Sequence, residues 1–70
     1  MEVLVFKTDV STKTKIRRLK PRLSLLPEIR NWNFDLHDAE NILRVEAENL
    51  DGNKVENVLK EAGHFCEELE

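Results

Sequence analysis

Leu26-Pro27-Glu28-Ile29-Arg30-Asn31-Trp32-Asn33-Phe34-Asp35-Leu36 joins two kinds of periodicity within a few residues. Leu26 is the last of a series, Ile16, Leu19, Leu23, Leu26, spaced at helical intervals. Pro27 has no N–H to donate, and its ring opposes a preceding turn, so the helix is expected to stop there. Beyond it Trp32, Phe34 and Leu36 alternate with Asn31, Asn33 and Asp35, the period of a strand with one buried face. A slip of one residue would bury the two asparagines and the aspartate, so the register is firm.

Upstream, Glu2-Val3-Leu4-Val5-Phe6-Lys7 is rich in β-branched and aromatic residues. Val3 and Val5 face one way and Leu4 and Phe6 the other, which predicts a central strand. Ser11 is the expected N-cap of the helix that follows. Pro21 falls inside that helix and removes the bond to the Arg17 carbonyl, so a kink is expected. Downstream, His37-Asp38-Ala39-Glu40-Asn41 is a polar turn, and Ile42 to Glu48 alternates again, which predicts a hairpin. Asp51 caps a second helix with Val55, Val58, Leu59 and Ala62 on its buried stripe. Gly63 stands where a left-handed C-cap belongs, and His64 to Leu69 completes the chain as a short edge strand. The order β-α-β-β-α-β predicts a ferredoxin-like sandwich: a four-stranded antiparallel sheet with both helices on one face. Residues 1–70 make one domain, whose size limits its stability to roughly 3–5 kcal/mol.

These motifs resemble the heavy-metal-associated domain of copper chaperones and metal-pumping ATPases. In that family the first helix ends Leu-Pro-Gly-Val and the next strand ends Val-Asp-Leu; here Leu26-Pro27-Glu28-Ile29 and Phe34-Asp35-Leu36 stand in their places. The family's Ala-Gly-Tyr after the second helix is matched by Ala62-Gly63-His64. The family holds a soft metal ion through Met-x-Cys-x-x-Cys in the first loop. Counting back from Pro27 puts Val10 at the Met position and Thr12 and Lys15 at the two Cys positions. Soft ions want thiolates, and a fixed cation opposes them, so family-type metal binding is not expected and no cofactor is implied. The other metal candidates are His64 and Cys66, two apart on the expected last strand and chemically able to take Zn or Cu. They supply only part of a tetrahedral set.

Net charge is −3, unevenly divided: residues 1–35 carry eight basic and four acidic side chains, residues 36–70 three and ten. Two readings follow. Neighbouring elements of opposite sign pair on the surface, or Lys13, Lys15, Arg17 and Arg18 form a basic face that binds a protein partner with an acidic surface. The exposed half of the first strand offers a small apolar patch for self-association. Asp35, His37 and Asp38 read as a solvated turn rather than an acid–base group. No nucleophile motif or glycine-rich phosphate loop is present, so no enzyme is expected. RNA-recognition domains share this strand order but stack bases on aromatics, whereas the third strand here shows Arg44, Glu46 and Glu48, which disfavours nucleic acid. A single cysteine and an apolar N-terminal run of four residues predict a cytoplasmic protein without a membrane span.

Overall fold

The computed structural model describes residues 1–69. The order of elements is β1 (Glu2–Thr8), α1 (Lys13–Leu23), β2 (Ile29–Asp35), β3 (Ile42–Ala47), α2 (Gly52–Glu61) and β4 (Cys66–Leu69). The strands form one antiparallel sheet in the order β2-β3-β1-β4, with β1 central as its two apolar faces require. Register decides what faces the helices. Leu4 pairs with Val45 and Phe6 with Leu43, while Trp32 and Phe34 pair with the same two β3 residues from the other side. These side chains share a core with Leu19 and Leu23 of α1 and Val55 and Leu59 of α2, so both helices cover one face. Val3 is 59% exposed on the other face. The βαββαβ sandwich anticipated from the sequence is the fold observed.

The corner between α1 and β2 departs from expectation in an instructive way. The helix ends at Leu23, four residues before Pro27, and Ser24 closes it by donating its N–H and its hydroxyl to the Lys20 carbonyl. Tight turns then carry the chain onward, Leu25 N–H to Arg22 O, Leu26 N–H to Leu23 O and Ile29 N–H to Leu26 O. An i to i+3 turn keeps the helical spacing of Leu26 without the helix, so Leu26 still packs on the core. Pro21 lies in the last turns of a single α1 helix that is not split. In β2 a bulge between Ile29 and Asn31 inserts a residue against β3. It lets Ile29 and Trp32, an odd number apart, both pack on the core. Trp32 and Phe34 are half-buried and meet edge to face, centroids 5.9 Å apart. Leu36 falls just past the strand.

Three further expectations shift. The N-cap of α1 is Thr12, not Ser11; its Oγ1 accepts the Lys15 N–H at 3.2 Å. Strand β4 begins at Cys66, so His64 precedes it. Glu48 lies beyond β3. Asp51 caps α2 as anticipated, accepting from Asn53 N–H, and Gly63 takes the left-handed conformation at φ 87°. The 37–41 turn is built on side-chain capping of its own backbone, His37 N–H to Asp35 Oδ1 and Glu40 N–H to Asp38 Oδ1.

Thr8 is the one buried polar side chain among the described residues. Its hydroxyl donates to the Asn41 carbonyl at 2.6 Å and accepts the Val10 N–H at 3.1 Å, tying the end of β1 to the β2–β3 turn. Valine has the same shape without the hydroxyl. Thr8→Val leaves the buried Val10 N–H unpaired and is expected to cost about 2 kcal/mol. Urea unfolding measures this; a midpoint within error of the parent contradicts it.

Candidate functional site

The loop before α1 and the loop before β4 meet at one end of the molecule. Asp9 joins them: its Oδ1 accepts the Phe65 N–H at 3.0 Å and lies 3.1 Å from His64 Nδ1. With Asp9 accepting, the ring proton sits on Nδ1. Val10, at the position of the family's methionine, is fully buried in the core. Thr12, at the first cysteine position, spends its side chain on the helix cap. Lys15, at the second, is half-buried in the first turn of α1.

His64 and Cys66 face different surroundings. Cys66 is 2% exposed and belongs to the core; burial, with Glu56 beside it, pushes its thiol up to about 12. The thiol therefore stays protonated through the neutral range, opposite to what a soft metal ligand needs. His64 points instead to Asp9 and to a groove beside α1. Among the described residues no three His, Cys, Asp or Glu side chains gather as a metal site.

The cations of α1 behave differently from the pairing reading. The ion pairs among the described residues are Lys54–Glu28 at 2.6 Å and Lys60–Glu56 at 3.7 Å, beside the His64–Asp9 hydrogen bond at 3.1 Å. Among the described residues none involves Lys13, Lys15, Arg17, Arg18, Lys20 or Arg22. The Lys54 ammonium holds the Glu28 carboxyl below the ordinary carboxylate range, and Glu28 in turn raises Lys54. The stability this gives is present above the ordinary Glu value and is lost as pH falls through the lowered one; both groups are solvated, so it is small. Lys15, Arg18, Leu19 and Arg22 line one wall of a groove of about 350 Å³, with Ala62 and His64 across from them. Lys15, Arg18 and His64 are site candidates from the sequence; Arg22 and Asp9 join them only in the structure. The spacing of Lys15, Arg18 and Arg22 at i, i+3 and i+7 was the available signal for Arg22.

No family model matches the chain, and no curated protein matches it. Solved structures do. The N-terminal domain of ZntA in its Zn(II) form superposes with a TM-score of 0.79 at 19% identity, covering 94% of this chain and 89% of that one. The yeast copper transporter domain Ccc2a, solved in apo and Cu(I)-loaded states, gives a TM-score of 0.84 at 14% identity, covering 100% and 97%. The fold is that of these domains. The resemblance read from Leu26-Pro27, Phe34-Asp35-Leu36 and Ala62-Gly63 thus holds for the frame, and the first-loop residues are where this chain departs from it. Among the described residues no helix is long and apolar enough to cross a membrane.

Proposed function

We propose that this domain is a non-catalytic interaction module that binds a protein partner with an acidic surface through Lys13, Lys15, Arg17 and Arg18. The observation that carries the reading is the set of α1 cations without carboxylate partners among the described residues. Cations on one helix that have no carboxylate partner among the described residues attract an approaching acidic surface and speed its encounter. The departure at Thr12 and Lys15 supports the same reading, because the loop that would hold a soft ion offers a capped hydroxyl and a cation. A cytoplasmic location goes with it, since a lone buried thiol suits a reducing compartment.

The test is affinity capture with the full chain and a variant carrying Glu at positions 13, 15, 17 and 18. The variant is expected to lose the acidic partners retained by the parent, and the parent to lose them as salt rises. An unchanged set of captured proteins rejects the reading. Self-association through exposed Val3 and half-buried Val5 is separated by sedimentation of the parent alone.

A second reading, a Zn or Cu carrier using His64 and Cys66, is favoured by the fold shared with the Zn(II) form of the ZntA domain and with Ccc2a. Calorimetry with Zn(II) and with Cu(I) tests it: binding heat lost on Cys66→Ser supports it, and no heat with either ion ends it. The raised thiol value weighs against it.

A further inference from the structure

The six cations of α1 fall on two opposite flanks. At about 100° per residue, Lys15, Arg18 and Arg22 cluster on one side of the apolar stripe, and Lys13, Arg17 and Lys20 on the other. The first flank alone borders the groove that runs toward the end of α2. Its cations spread over about 10 Å of helix axis, so they present a row of charge rather than a ring around one point. Across from them half-buried Ala62 supplies the apolar part of the opposite wall, whereas Leu19 is 1% exposed and belongs to the core. At the far wall His64 is tied to Asp9, so the negative groups of any occupant align on the α1 side.

Resting on the docking reading above, we infer that this groove receives an extended acidic segment of the partner, with carboxylates and small apolar side chains at alternate positions. In an extended chain every second side chain points the same way, about 6.5–7 Å apart. That period is comparable to the rise of about 4.5–6 Å between successive cations of the flank, within the reach of Lys and Arg side chains. The alternate apolar side chains, on the opposite side of the segment, then face Ala62.

The experiment measures fluorescence anisotropy of a labelled octapeptide of alternating Glu and Val against the full chain. Two variants remove equal charge from opposite flanks: K15Q/R18Q/R22Q and K13Q/R17Q/K20Q. The groove variant is expected to weaken binding by about tenfold or more, and the outer variant by less than about threefold. Ala62→Glu, on the facing wall, is expected to weaken it similarly while leaving α1 intact, which covers the case of a poorly folded triple variant. Equal losses in both triple variants, or no effect of Ala62→Glu, overturn the groove while leaving the docking reading standing. The groove alone also falls when the parent ignores the peptide but its captured partners remain sensitive to charge reversal at positions 13, 15, 17 and 18. Insensitivity in both assays removes both. Tighter binding of a single-stranded oligonucleotide than of the peptide overturns the groove's assignment to an acidic protein segment.

Discussion

Phe6→Ala is expected to leave the domain without a cooperative folded state at room temperature. Phe6 is fully buried in the central strand, paired with Leu43 and in the same core as Leu19 and Leu59. Truncating a buried phenylalanine costs about 3–5 kcal/mol, because the transfer of the ring is lost and the cavity closes only in part. A chain of this length holds roughly that much stability in total. It has no disulfide to limit the loss, its single cysteine being free. Thermal unfolding followed by circular dichroism checks the expectation. The control is Val3→Ala on the open face, where the side chain is 59% exposed and the change should be slight. A sharp transition in Phe6→Ala within a few degrees of the parent would show that the core is not centred on β1.

The second large effect concerns the first loop. The double variant Thr12→Cys, Lys15→Cys is expected to gain Cu(I) affinity on the order of a hundredfold or more over the parent. Both positions lie at the start of α1, where the helix N-terminus lowers a thiol's pKa and favours the thiolate. The change also removes the positive charge of Lys15 that opposes a cation. It gives up the Thr12 cap, at a cost of about 1 kcal/mol, so the variant should be somewhat less stable without metal and should recover on loading. Competition with a chromophoric Cu(I) chelator reads the affinity. No gain would mean that Thr12 and Lys15 do not stand where the resemblance places them.

How far the sequence carried can be judged residue by residue. Alternation at Trp32 and Phe34 against Leu43 and Val45 was legible because a sheet with one covered face forces a period of two. The bulge beside Ile29 was not, since one inserted residue leaves no mark in a pattern that resumes two residues later. Leu26 looked helical because tight turns repeat the spacing of a helix without its bonds. Ser11 and Thr12 are chemically equal as caps, and only the backbone path chooses between them. His64 and Cys66 pair on one face only if the last strand starts at His64; its start at Cys66 places the thiol in the core and the imidazole beside Asp9. Whether opposite charges pair is likewise a matter of placement, and composition alone left it open. The acidic residues lie mainly on the turns, α2 and β4, out of ion-pairing reach of the α1 cations among the described residues.

The proposal most open to test is that a fold shared with metal-binding domains here carries a first loop, with Thr12 and Lys15, unsuited to a soft ion. Native mass spectrometry of the untagged protein, purified from cells grown with added copper and zinc, tests it most directly. The expected mass is that of the bare chain, 8.2 kDa, with no bound ion. One equivalent of copper or zinc that survives purification and is lost on changing Thr12 and Lys15 would contradict it.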